Sequence, residues 1–454
     1  MNISQEFETI AAISTPLGTG GVGVIRISGD KSFEIAQKIT DKRDFSAGKI
    51  CHGWIIDGEK KIDEVIILPF KSPNSYTGED VIEIQCHGGV NVVRNVLDVV
   101  LKNGARPAQR GEFTKRAFLN KKLDLSQAEA VDDLIHAKTS DFAIQSAKNL
   151  SGVLAVKTAE IKGKIFDVAS KIVAATDFPE DVKEPDYLYL TKEFSSIISE
   201  TDKILACAKS SDILRQGIKV AIVGRPNVGK SSLFNALLNL DRAIVTDIAG
   251  TTRDIIKENL DLGLPVTLID TAGIRENKSL DKVEEIGIEY SKQSLQDADL
   301  VIFMYDASEG FGKADNEIYE IIKDKTYIIV ANKIDLLNGK ELTNCVFGYD
   351  FSNQIGLSAS LKMGLEELKE RMKGIVCKIS PEDTEFITNK RQQACFERCR
   401  EHMQLALDAA EREELQDMIY IDLKSALLSL DEITGEVIND EILNNIFDHF
   451  CIGK

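Results

Sequence analysis

The sequence predicts a multidomain protein in which an α+β N-terminal unit is followed by an all-α helical unit that carries an α/β unit inserted within it. Three observations lead there. The chain has 454 residues, room for roughly three domains at about 150 residues each. Its hydrophobic periodicity changes from short β-rich runs, to long stretches at 3.6 spacing, to strands alternating with helices, and back to helix. Neither helical stretch looks self-sufficient, so the two read as halves of one bundle on either side of the inserted unit.

Residues 1–120 mix strand-like runs (Val22 to Ile27, Glu64 to Pro69, Val81 to Gln85) with glycine turns and a helix near Val90 to Leu101. Residues 121–214 carry helical spacing with almost no glycine, broken at Asp177 to Pro185. In residues 215–378 the strands Lys219 to Val223, Val266 to Ile269, Leu300 to Tyr305 and Tyr327 to Val330 alternate with helices, the pattern of a parallel sheet covered on both faces. Residues 379–454 return to helix after Pro381.

Composition narrows the function classes. A hydrophobic share of 43% with only 9 prolines excludes disordered and fibrous chains. A net charge of −18 argues against gripping a polyanion over a broad surface. One local basic stretch runs through Lys102, Arg106, Arg110, Lys115, Arg116, Lys121 and Lys122 and reads equally as a nucleic-acid contact or a solvated surface. No N-terminal leader pattern and no membrane-length apolar run is seen, so a cytoplasmic chain without membrane contact is expected. The 8 cysteines include no CxxC pair, which fits free thiols in a reducing compartment. Cys395, Cys399 and His402 share a helix face, and packing is expected there rather than metal. Gly18 to Gly23 satisfies GxGxxG, but strand text follows where a dinucleotide fold needs a helix, so a turn beside a ligand is expected.

The sharpest signal is Gly224-Arg-Pro-Asn-Val-Gly229-Lys230-Ser231, a GxxxxGKS phosphate loop between the strand KVAIV and a helix. Backbone N–H groups of Asn227, Val228, Gly229, Lys230, Ser231 and Ser232 would turn toward phosphate, Lys230 would reach the β and γ oxygens, and Ser231 would offer a hydroxyl to Mg²⁺. Asp270-Thr271-Ala272-Gly273 ends a second strand, near the metal and γ-phosphate. Asn332-Lys333-Ile-Asp335 ends a third, where Asp335 accepts two N–H bonds that guanine offers and adenine does not; Ser358-Ala359 completes the base pocket. Together they imply a Ras-like P-loop GTPase domain using GTP. The residue after Gly273 is Ile274, which cannot orient the attacking water as a glutamine does. Arg253 and Arg275 are weak candidates for an internal arginine finger. The loop Thr246-Asp247-Ile248-Ala249-Gly250-Thr251-Thr252 is rich in oxygen ligands and suits a monovalent cation beside Mg²⁺.

With the blocks TGGVGVIRISG, NSYTGEDVIEIQCHGG, RAFLNKKLDLSQAEAVDDLI, TDIAGTTRD, DTAGIR, VEEIGIE and the terminal FCIGK, the chain resembles the MnmE (TrmE) family of tRNA-modification GTPases over essentially its whole length. The resemblance implies K⁺ held by Asn227, Thr246, Ile248 and Thr251 in place of an arginine finger, Mg²⁺ held by Ser231 and Thr252, and Glu284 as the water-positioning catalytic residue beside Lys230. It implies a folate-binding-like N-terminal domain that takes 5-formyl- or methylene-tetrahydrofolate at Arg26, Glu79, Lys122 and Lys454, and a candidate role for Cys451 in the modification chemistry. It further implies a homodimer joined through the N-terminal domains, whose GTPase domains associate face to face. In a heterotetramer with an MnmG (GidA)-type flavoprotein, which alone carries FAD, such a chain would build an aminomethyl-type group at C5 of the wobble uridine of certain tRNAs. A ribosome-assembly GTPase without group transfer, and a folate-dependent transferase complete in itself, are the alternative classes.

Overall fold

The computed structural model describes residues 8–42, 44–46, 48–240, 257–261, 265–270, 298–337, 342, 345–346, 349–351, 353–379, 386 and 388–454. It divides into two compact units. The first comprises Met1–Asp132, Asn149–Glu200 and Ala394–Lys454, and the second Asp133–Lys148 and Thr201–Gln393.

The N-terminal part of the first unit is a sheet built from β1 (Ile10–Ile13), β2 (Val22–Ser28), β3 (Cys51–Asp57), β4 (Lys60–Phe70), β5 (Val81–His87) and the short β6 (Arg106–Pro107), in the order β3-β4-β5-β2-β1-β6. All neighbours are antiparallel except β1 and β6. Strand alternation sends Ile25, Ile27, Ile82 and Ile84 to one face. There they meet α1 (Ser32–Ile39) and α2 (Val90–Lys102), whose Val93, Val96 and Val100 recur at helical spacing. Ile10 and Ala12 point the other way and pack with Tyr76 and with Phe113 of α3 (Glu112–Leu119).

Helices α4 (Leu125–Ile135), α5 (Ser140–Leu150), α6 (Val153–Asp177) and α7 (Tyr187–Gln216) follow. The break expected at Asp177 to Pro185 is the turn between α6 and α7.

In the second unit, β7 (Ile218–Val223), α8 (Lys230–Leu240), β8 (Lys257–Asp261), β9 (Pro265–Asp270), β10 (Leu300–Asp306), α9 (Lys313–Ile322), β11 (Tyr327–Asn332), β12 (Cys345–Val346), β13 (Tyr349–Asp350), β14 (Ile355–Gly356) and α10 (Leu365–Ile379) make an α/β fold. The main sheet runs β14-β11-β10-β7-β9-β8 and is parallel except at β8–β9. Continuous apolar runs such as LVIFMYD in β10 are what a sheet covered on both faces requires. Val220, Ile222, Ile302, Met304 and Val330 pack on one side with Leu233 of α8 and Leu368 of α10. Ala221, Val223, Phe303, Tyr305 and Ile329 pack on the other with Tyr319 of α9 and Phe351.

The chain closes with α11 (Lys390–Glu411), α12 (Gln416–Thr434) and α13 (Asp440–Asp448). In the first unit, Lys162 of α6 pairs with Asp431 of α12 and with Glu436 just beyond it. Leu125 and Ala128 of α4 share a core with Leu443 and Phe447 of α13. The helical stretches on either side of the α/β segment therefore do pack as one bundle. Among the described residues no group of His, Cys, Asp and Glu is arranged to hold a metal. Cys399 is buried, and burial pushes its thiol up to about 12, in keeping with packing. No helix among the described residues is long and apolar enough to cross a membrane.

Candidate functional site

The phosphate loop leaves the carboxyl end of β7 and enters α8, where the helix terminus and successive amides favour an anion. Two glycines are fixed by close approach. A Cβ at Gly224 (φ +157°) would lie 2.1 Å from the Met304 carbonyl oxygen, and one at Gly229 (φ +104°) would lie 2.3 Å from Asn332 Nδ2. Asn227 also adopts a left-handed backbone, φ 65°. Lys230 Nζ donates to the Gly224 and Arg225 carbonyls, both at 2.8 Å, so the ammonium rests across the loop it would serve.

Asn332, at the end of β11, is buried and ties the motifs together. Its Nδ2 donates to the Val228 carbonyl at 2.7 Å, and its Oδ1 accepts the Ala359 N–H at 3.0 Å. Lys333 has φ 63° and pairs with Asp306 at 2.6 Å. Asp335 lies exposed in the 3-10 turn Ile334–Leu336, whose Ile334 N–H donates to Leu357 O. Buried Ser358 fixes the following turn through Leu361 N–H. Asp270 ends β9 in register with Ile222, two residues before Gly224. Ser231 and Ser232 are exposed in the first turn of α8. Thr246, Asp247, Ile248, Ala249, Gly250, Thr251, Thr252, Thr271, Ala272, Gly273 and Glu284, like Arg253, Ile274 and Arg275, lie outside the described residues.

The second group of predicted residues falls in the first unit. Arg26 of β2 donates to its cross-strand partner Glu83 at 2.8 Å, stacks over Tyr76 and Phe113 at 4.9 and 5.6 Å, and reaches the Gly453 carbonyl at 3.4 Å. The C-terminal tail is docked here. Phe113 N–H donates to Lys454 O at 3.2 Å and Ser14 Oγ to Gly453 O at 3.2 Å. Lys454 Nζ lies 5.9 Å from the Tyr76 ring, and burial together with Arg26 lowers its pKa. Glu79 accepts from Ser28 Oγ at 2.6 Å and from Arg116 at 3.0 Å. Lys122 Nζ donates to Pro73 O at 3.1 Å. Cys451 is exposed.

Arg26 and Lys454 thus meet at Tyr76, while Glu79 and Lys122 are held on the same connection, residues 71–80, through other partners. Tyr76, Glu83 and Phe113 were not singled out in the sequence. Tyr76 lies inside the NSYTGEDV block, which was the available signal. The basic stretch is not one solvated surface: Lys102 pairs with Asp57, Arg106 with Glu8 and Glu112, and buried Arg116 with Glu79 and Glu112. Arg110 and Lys115 line a cavity of about 290 Å³ with Asn444 and Asp448.

A phosphate loop cross-tied by the NKxD asparagine at the carboxyl edge of a parallel sheet defines a P-loop GTPase. The family models match on both sides of it: "GTP-binding protein TrmE N-terminus" over residues 9–122 and "MnmE helical domain" over residues 125–451. The chain belongs to the MnmE family of tRNA modification GTPases. The tRNA modification GTPase MnmE of Thermoanaerobacter pseudethanolicus is 44% identical over 99% of this chain and 100% of that protein. That of Clostridioides difficile is 42% identical over 98% and 99%. A solved structure of Era with MgGDPNP and nucleotides 1506–1542 of 16S ribosomal RNA is 32% identical over 41% of this chain and 66% of that one, with a TM-score of 0.27.

Proposed function

We propose that this tRNA modification GTPase acts with a flavin-dependent partner of the MnmG type to build an aminomethyl-type group at C5 of the wobble uridine, taking one carbon from a tetrahydrofolate. The observation that carries this reading is the meeting of Arg26, Tyr76 and Lys454 on the docked C-terminal tail. The donor set fits such a ligand. Tyr76 presents a ring, Arg26, backed by fully buried Phe113, and Lys454 present cations for a carboxylated tail, and Glu79 is a carboxylate held in place by Arg116 for ring N–H groups. When bound, the folate would supply the methylene group. The chain's own residues orient it, with Cys451 exposed three residues before Lys454 on the same tail.

In the GTPase unit, Ser231 with Thr252 would hold Mg²⁺, and Asn227 with Thr246, Ile248 and Thr251 would hold K⁺. The oxygen donors suit both hard cations. Because Ile274 offers no carboxamide, Glu284 would position the water, and pairing of two GTPase units in a homodimer would complete the site. Hydrolysis then releases the γ-phosphate contacts that order the switch loops. One set of measurements tests the reading. GTP turnover of the purified chain in K⁺ and in Na⁺ should differ by at least about tenfold, and Arg26→Ala should weaken 5-formyl-tetrahydrofolate binding while leaving that turnover intact. Equal turnover in both salts removes the potassium site; unaltered folate affinity removes Arg26 from the folate site.

A further inference from the structure

The connection from β10 to α9, residues 306–315, touches two of the nucleotide motifs at once. At its start, buried Asp306 accepts Lys333 Nζ at 2.6 Å and the Ser308 N–H at 2.9 Å, and Ala307 N–H donates to Asn332 O at 2.8 Å. At its far end, fully buried Asp315 accepts Arg225 Nε at 2.7 Å and the Gly312 N–H at 2.9 Å. Glu309 adds a second carboxylate 3.4 Å from Arg225. Arg225 is the residue after Gly224 in the phosphate loop, and Lys333 is the lysine of the NKID motif. A single short segment therefore supplies an acidic partner to each loop.

We propose that residues 306–315 brace the phosphate loop against the guanine loop, and that Arg225, through its pair with Asp315, is a positioning residue that sets how slowly guanine nucleotide leaves. Lys230 rests on the carbonyls of Gly224 and Arg225. Those carbonyls are held in place by the Arg225 side chain, clamped to a carboxylate that is itself immobilised in the N-terminal turn of α9. A loop already in its binding shape loses less freedom on binding phosphate. Loosening it appears mainly as faster dissociation. The pair is also costly to break singly, because removing Arg225 leaves a buried charge without its guanidinium. The proposal rests on the GTPase class and adds to it a determinant of nucleotide residence.

The experiment is stopped-flow release of N-methylanthraniloyl-GDP from the full-length chain. Arg225→Ala and Asp315→Asn should each speed release about tenfold, the effect of losing one charged hydrogen bond. Arg225→Lys should fall between Arg225→Ala and the parent, and the double variant should release within about twofold of the faster single one, since both remove the same contact. The preference for guanine over xanthine nucleotide should not move, because Asp335 is untouched. Release from Arg225→Ala within about twofold of the parent, or a double variant showing the product of the single effects, overturns the brace. Should Asp315→Asn fail to fold, Arg225→Ala and Arg225→Lys decide the matter, their folding checked by circular dichroism. A parent that does not bind N-methylanthraniloyl-GDP at all removes the nucleotide site on which the brace rests, an outcome distinct from unchanged release in the variants.

Discussion

The phosphate loop and the side-chain cluster at the C-terminal tail are assembled by opposite means. In the loop the groups are backbone amides set by Gly224, Asn227 and Gly229, all at positive φ, and every element of the motif falls within eight consecutive residues. At the tail the cluster is made of side chains on residues 26, 76, 83, 113 and 454, joined by an ion pair and ring contacts across more than four hundred positions. A backbone site is defined by local conformation, so its residue types follow a fixed spacing. A side-chain site is defined by which elements pack together, and spacing carries no trace of it.

That contrast predicts that each region can be damaged without the other. The largest effect belongs to Lys230→Ala, which should cut GTP turnover by about a hundredfold or more, leaving the urea transition of the first unit where it is. Turnover within about tenfold of the parent would break the distinction, since the loop would then not depend on its lysine. Next is Glu112→Gln. Glu112 accepts from both terminal nitrogens, Nη1 and Nη2, of Arg106, from Nη2 of Arg116, and from the Gln109 N–H. Arg116 keeps Glu79 as a partner, so losing the Glu112 charge should cost about 2 kcal/mol, read in urea by Trp54, the single tryptophan, with GDP affinity unchanged. Burial opposes ionisation of Glu112, but Arg106 and the Gln109 N–H outweigh it and lower its pKa. A lowered carboxylate contributes stability above its unfolded pKa of about 4.3 and loses it as pH falls through the folded value. The parent's urea midpoint should therefore fall off at acid pH more steeply than that of Glu112→Gln, and equal slopes would remove this carboxylate from the balance.

The smallest effect is expected of Gly453→Ala. Gly453 has φ +97°, and a Cβ there would lie 2.3 Å from the Ile13 carbonyl oxygen. The substitution should cost about 1–2 kcal/mol in tail docking, lowering the yield of modified nucleoside in tRNA while sparing GTP hydrolysis. An equal loss of hydrolysis would mean that the two regions are not separable.

Much of the architecture was legible because it rests on periodicity. The apolar run of β10, the alternation in β2 and the helical spacing of Val93, Val96 and Val100 each report a neighbour pattern that one element imposes by itself. The phosphate loop was legible for the same reason. The bundle's division into two halves was inferred from an insufficiency, and the packing of α6 on α12 supplies its physical content. The basic stretch was misleading, because sequence records that Arg106 and Arg116 are cationic but not that Glu8, Glu79 and Glu112 surround them. The pairing of Arg225 leaves no trace in the sequence for a similar reason, its partner Asp315 being ninety positions away on another element.

By itself, then, the order of residues determined the class of each element, the position of the nucleotide motifs and the family. Tertiary structure alone decided which charges are paired, that the last residues dock beside Arg26, and that the β10–α9 connection serves two loops. The reason is the range of the forces involved. Backbone conformation and amphipathic period are set by neighbours within a turn or two. A carboxylate and a guanidinium find each other only after the chain has folded, and their pairing depends on desolvation that no local pattern encodes.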